Sequence, residues 1–365
     1  MNHWIDTPRM LADRLAAWRG AGPVALDTEF VRERTWYAQL ALVQLAVPGE
    51  VLLVDPLVEG MTAVLGPWLA DPGVLKLMHS PSEDLHVLTH VCGAPPSPLF
   101  DTQTAAALAG LGAGLSYQRL VEAVTGTVLA KGETRSDWLR RPLSPAQLDY
   151  AADDVLHLHA VHAALRDRLE ALGRLDWLEA DCARMVAQAV RDEPERWPHL
   201  AVRSAQMLDP DGQRRLYRLL RWREARARSQ DRPKNWILDG ELALTLARRP
   251  PADLRAFNAV LDAHPKAPRR DRGALFDLLH RPVDAAEADI PLAQAPAETD
   301  KARLRALQEA VATQARALDI PEGLLASRRH LQALMDGHGW GALEGWRRGI
   351  LEASLAPLLE TPPSG

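Results

Sequence analysis

Cysteine is scarce. The 365 residues hold two, Cys92 and Cys182, far apart in the sequence. That argues against a disulfide framework and a cysteine-rich zinc site, and it fits a reducing cytoplasm. Long hydrophobic runs are also missing: none reaches the ~18 residues of a membrane-spanning helix. The opening stretch, MNHWIDTPRMLADRLAAWRG, has an acid at Asp6 and no continuous apolar segment, which sets aside a secretory leader. Strand signals run out near residue 200. What is present is a globular composition, 47% hydrophobic and 25% charged, with length for two or three domains.

The net charge of −5 is unevenly spread. Residues 1–200 carry −9, residues 201–285 carry +7 and residues 286–365 carry −3. A basic middle behind an acidic first part is the asymmetry of a chain with a polyanionic partner, although a solvated arginine-rich surface gives the same count.

The first part alternates strand and helix signals. PVALDTEF reads as a strand, and QLALVQLAV and EVLLVDPL as a hairpin across PGE. VLKLMH and SPLF are short strands, and SPSEDLHVLTHVCG is a helix ending near Gly93. LSPAQLDYAADDVLHLHAVHAALRDRLEALG reads as one long helix, with Ser144 as N-cap and Pro145 at its first position. A hairpin first and β-α pieces later predict a mixed sheet flanked by helices. Beyond residue 200 only helices are expected. A Pro- and Ala-rich stretch, 282–298, reads as a linker between two helical sets of similar order, a diverged tandem repeat. The expected domains are 1–200, 201–285 and 286–365, the first able to fold alone.

VALDTEFVRERTW, residues 24–36, poses a physical problem. Asp27 and Glu29 are two apart on a strand, so they share a face. Like charges beside an apolar run repel each other and are costly to bury. Divalent cations would offset that cost, and Mg²⁺ and Mn²⁺ prefer oxygen ligands. Two such ions can clamp the attacking and leaving oxygens of a phosphoryl displacement. Further acids stand at Asp84, at a helix start, and Asp154, on the long helix. Tyr150 lies four residues before Asp154, on the same face.

LDTEFVRERTWYAQLALVQLA, HSPSEDLHVL and LDYAADDVLHL resemble the three exonuclease motifs of the ribonuclease D family, in order and spacing. That family lies in the DEDD superfamily of 3′→5′ exonucleases, on a ribonuclease-H-like fold. The resemblance makes Asp27, Glu29, Asp84 and Asp154 ligands of two Mg²⁺ or Mn²⁺ ions, and Tyr150 the residue that orients or helps deprotonate the attacking water. Asp149 stands where the histidine subclass would carry His. RLYRLLRWREARARSQDRPKNWILDGELALTLARRPP is similar to a helicase-and-RNase-D C-terminal (HRDC) domain, and LASRRHLQALMDG with LEGWRRGILEASL to a second. The implied protein is a cytoplasmic, monomeric exoribonuclease. It releases nucleoside 5′-monophosphates from structured RNA such as precursor tRNA, without membrane contact.

Lys131, Arg135, Arg140 and Arg141 precede the long helix and are candidates to hold RNA or to order the edge of the site. Arg218, Arg221, Arg228, Arg232 and Lys234 are candidates to face phosphate. Trp138 reads as a packing anchor and His79 as a strand-end residue. His86 and His90 have zinc spacing without a third ligand. Two rivals stay open from the residues alone: a DNA 3′→5′ exonuclease, and a scaffold that kept the fold without catalysis.

Overall fold

The structure is a computed structural model that describes residues 2–129, 132, 136–191, 193–295 and 298–360. Two compact units emerge. The first comprises residues 1–31, 40–191 and 297–365, the second residues 32–39 and 192–296.

The first unit is built on six strands: β1 (Asn2–Ile5), β2 (Val24–Val31), β3 (Gln39–Val47), β4 (Glu50–Val54), β5 (Lys76–Met78) and β6 (Leu99–Asp101). Their order is β1-β4-β3-β2-β5-β6. β3 and β4 are antiparallel, the expected hairpin, whereas β1 pairs parallel to β4 and β2, β5 and β6 run parallel. The sheet is therefore mixed. β3 is buried from Leu40 to Ala46, as befits a central strand covered on both faces. β1 was not legible, because NHWI is too short for an alternation to register.

Among the described residues up to 191, eight helices accompany these strands: α1 (Pro8–Ala17), α2 (Met61–Leu69), α3 (Ser82–Cys92), α4 (Thr102–Leu108), α5 (Tyr117–Thr125), α6 (Pro145–Leu156), α7 (Leu158–Ala171) and α8 (Leu175–Val190). The long helix expected from residue 145 is thus two. The ladder breaks at His157, whose backbone N–H meets the Tyr117 hydroxyl at 3.2 Å. Ser144 and Gln147 form a capping box at the start of α6.

The second unit holds α9 (Pro210–Ser229), α10 (Lys234–Ile237), α11 (Gly240–Arg248), α12 (Leu254–Asp262), α13 (Arg272–His280) and α14 (Ala285–Ala288) around a core that includes Leu216, Leu219, Phe257 and Leu275. It reaches past the expected 201–285 on both sides. His199 Nε2 binds the Pro291 carbonyl at 2.8 Å, and Gln213 exchanges two hydrogen bonds with the backbone of Ala293. The stretch read as a linker is docked: Glu287, 5% exposed, receives Arg218 Nε at 2.8 Å and Nη2 at 2.5 Å.

The last helices are α15 (Glu298–Leu318), α16 (Glu322–Leu325), α17 (Arg328–Met335) and α18 (Trp346–Glu360), with their own core of Leu307, Val311, Leu325 and Leu351. They belong to the same unit as the sheet. Arg347 forms a bidentate pair with Asp181 of α8, at 2.5 and 2.6 Å, with both side chains 5% exposed. Trp346 stacks on Trp177 at 4.5 Å, and Arg174 donates to the carbonyls of Leu108 and Leu318. The helices at 298–360 therefore pack with the unit that holds the sheet. No helix among the described residues is long and apolar enough to cross a membrane.

Candidate active site

Three elements supply the acids. β2 carries Asp27 and Glu29 where its burial turns from complete to partial. The first turn of α3 presents Asp84, where an acid also complements the helix dipole. α6 carries Tyr150 and Asp154 one turn apart. Asp84 is 8% exposed and accepts the Thr28 hydroxyl on Oδ1.

The four carboxylates lie near enough to act on one another electrostatically. Burial holds Asp27 well above the ordinary carboxylate range, and Asp84, Asp154 and Glu29 push it further. Glu29 rises to about 8, through burial and then through Asp154 and Asp84. Asp84 and Asp154 are also raised by burial, each partly relieved by a hydroxyl, from Thr28 and Tyr150 respectively. Tyr150 is pushed up by burial, then by Asp154, Glu29 and Asp27. Among the described residues no three acids, histidines or cysteines already stand at the spacing of a closed metal cage. The donor set, four crowded carboxylates with raised pKa values, is nonetheless one that suits hard divalent cations.

The family described as 3'-5' exonuclease matches residues 2–170. Ribonuclease D of Xanthomonas oryzae pv. oryzae is 55% identical over 99% of both chains. That of Pseudomonas paraeruginosa is 36% identical over 98% of this chain and 97% of its own. The chain belongs to the ribonuclease D family. The crystal structure of Escherichia coli RNase D, an exoribonuclease involved in structured RNA processing, superposes with a TM-score of 0.86 at 30% identity, covering 100% of both chains. The chain is accordingly a hydrolytic 3′→5′ exoribonuclease with a mixed-sheet catalytic domain and a helical, HRDC-type C-terminal part. RNA is its substrate class, and the exonuclease family to which ribonuclease D belongs uses divalent metals.

Around this ribonuclease D site several side chains have structural partners. Trp138, 3% exposed, packs at 6.1 Å from the Tyr150 ring. Gly132 lies on that ring too: a Cβ there would fall 1.7 Å from Tyr150 Cε2. Sequence reading passed over Gly132, whose only signal was a glycine among charged residues. Arg141 grips Asp55 through two 2.7 Å contacts and donates to the Ala41 carbonyl at 2.6 Å, so it ties the segment before α6 to the sheet. Tyr117, also missed, donates to the Asp153 carbonyl at 3.1 Å as well as accepting from His157. His79 uses both ring nitrogens, on Thr102 and on the Leu115 carbonyl.

The expected RNA-facing residues separate. Lys131 and Arg135 lie outside the described residues. Arg140 is exposed. Arg218 is buried on Glu287, a correction with a clear cause: the carboxylate sits in the stretch taken for a linker. Arg221 donates to the Glu195 carbonyl at 3.3 Å. Arg228 and Lys234 both pair with Glu224, at 3.3 and 3.5 Å, and both lie over the Trp36 ring. Asp231 accepts the backbone N–H groups of Trp36 and Tyr37 at 3.0 Å each. The segment 32–39 is thus held by the second unit, of which it forms part.

Proposed function

We propose that Asp27, Glu29, Asp84 and Asp154 hold two Mg²⁺ or Mn²⁺ ions, and that the enzyme removes nucleoside 5′-monophosphates one at a time from structured RNA with a 3′ tail, notably precursor tRNA. The observation that supports this is that four carboxylates from β2, α3 and α6, Asp84 buried and the others half-buried, lie near enough for Asp84 and Asp154 to raise Asp27 and Glu29, with the Tyr150 hydroxyl on Asp154. When bound, the ions supply positive charge at the scissile phosphate and acidify water. The carboxylates set where that charge sits. Tyr150, confined by Trp138 and Gly132, orients the attacking water through its hydroxyl without being a ligand. The reading includes a monomeric, cytoplasmic enzyme; the two free cysteines are consistent with a reducing compartment.

A time course on a 3′-extended tRNA with Mg²⁺, Mn²⁺ or chelator tests it. Stepwise release of 5′-monophosphates that stops with chelator is expected. Internal cuts, 3′-phosphate products or chelator-resistant turnover would reject it. A matched DNA oligonucleotide should be the poorer substrate.

A further inference from the structure

A cavity of about 690 Å³ opens within the second unit, lined among others by Trp222, Trp236, Arg232, Arg269, Arg270 and Asp271. Elsewhere in this helical module Arg214 is spent on Asp211, Arg218 on Glu287, Arg228 on Glu224 and Arg272 on Asp262, while Arg248, Arg249 and Arg255 are exposed. What sets the cavity apart is that its arginines stand beside an exposed indole. Asp271, a carboxylate in the cavity wall, is itself paired with Arg226. Arg269 and Arg270 are exposed and face no carboxylate partner among the described residues. Arg232 lies 5.8 Å from the centroid of the Trp236 ring, and Trp236 is 49% exposed.

An indole left half in water beside unpaired guanidinium groups matches one ligand chemistry. A flat aromatic face accepts a base by stacking, and the guanidiniums accept the phosphates on either side of it. A duplex keeps its bases stacked inside and cannot offer one to a concave wall. We propose that this cavity is a binding subsite for an unpaired nucleotide of the RNA substrate, with the base on Trp236 and the flanking phosphates on Arg232, Arg269 and Arg270. The subsite rests on the exoribonuclease reading for its ligand class. Arg228 and Lys234 are spent on Glu224 and lie over Trp36. Stacking tolerates any base, so the subsite adds affinity for single-stranded tails without choosing their sequence.

The test uses the full chain and a short labelled single-stranded oligoribonucleotide, with calcium replacing magnesium to slow cleavage. Trp236→Ala should weaken binding roughly 5- to 150-fold, the range of base–aromatic stacking. Trp236→Phe should keep most of the affinity. Changing Arg269 and Arg270 together to Ala should flatten the slope of log affinity against log salt by about 1.4, two phosphates at ~0.7 each. A blunt RNA duplex should bind all variants alike. A dinucleotide, which has no residue to spare for the cavity, should be cleaved by all variants at the wild-type rate. Wild-type affinity in Trp236→Ala, or equal losses in the Ala and Phe variants with an unchanged salt slope, would overturn the subsite. So would displacement of the oligonucleotide by a nucleoside 5′-monophosphate at similar concentration, which would make the cavity a product site. Failure of the wild-type chain to cleave the dinucleotide or any RNA would instead reject the exoribonuclease reading and leave the binding results to stand alone.

Discussion

The two C-terminal helical modules look alike in sequence and differ in what they do with charge. In the module at 298–360, Arg347 is buried on Asp181 of α8 and Trp346 is stacked on Trp177. Its charges complete the unit that holds the catalytic sheet. In the module at 192–296, Arg232, Arg269 and Arg270 surround an open cavity beside an exposed indole. Its remaining charge is available to a polyanion. Repetition of a helical pattern therefore says little about role; the partners of the arginines decide it.

Four experiments break or sharpen that contrast, and the largest effect serves as its reference. Asp27→Asn or Asp154→Asn should lower turnover by roughly 10²- to 10³-fold, the scale of removing one charge-stabilising group. The fold should persist, since each change removes a repelling carboxylate, and RNA binding through the 192–296 module should be unaltered. Retained wild-type turnover would remove these residues from the site.

Next is Arg347→Ala. Asp181 would keep Arg184 at 2.7 Å and the Trp346 indole at 3.1 Å but lose its bidentate partner, so the cost should fall at the low end for breaking a buried pair from one side, about 3 kcal/mol. Urea unfolding followed by the exonuclease domain's signal measures it. A truncation after residue 200 should fail to give a stable catalytic unit for the same reason. If Arg347→Ala is as mild as Arg269→Ala, the two modules are equivalent after all.

Smaller is the pH response of the unit that holds the acids. In chelator, Glu29 binds its proton up to about 8 when folded and only to about 4.5 when unfolded. Between those values the folded state holds more protons, so stability should fall as pH rises from 5 to 8, by about 2–4 kcal/mol. Mg²⁺ should reverse the fall. A melting temperature that is flat over this range in chelator, or that climbs with pH, would contradict the crowding of these carboxylates.

The smallest effect concerns Tyr150. Tyr150→Phe removes only the hydroxyl and Gly132→Ala displaces the ring, so each should slow single-turnover cleavage by no more than the ~10²-fold that a 1 Å misplacement can cost. Binding in calcium should stay the same. A loss of binding instead would move Gly132 from positioning to RNA contact.

The acids proposed to be catalytic stand out in the sequence because their logic is local. Asp27 with Glu29, and Tyr150 with Asp154, share faces by spacing alone, and Asp84 opens a helix. The sheet was legible in kind through the hairpin at PGE. What escaped depends on residues far apart. No periodicity announces that Tyr117 interrupts the helix at His157, or that Glu287 in a Pro- and Ala-rich stretch neutralises Arg218. Nor does composition reveal that Asp231 holds the backbone of Trp36 and Tyr37.

The ion pair of Asp181 with Arg347 also carries a schedule. The two residues are 166 apart in sequence. At synthesis rates of ~5–20 residues per second, the carboxylate waits ~8–33 s for its partner to be made. Through that interval α8 has an acid whose bidentate partner is missing, whereas the carboxylates of β2, α3 and α6 have all been made already. Completion of the nuclease unit thus waits for the helices at 298–360 to be made.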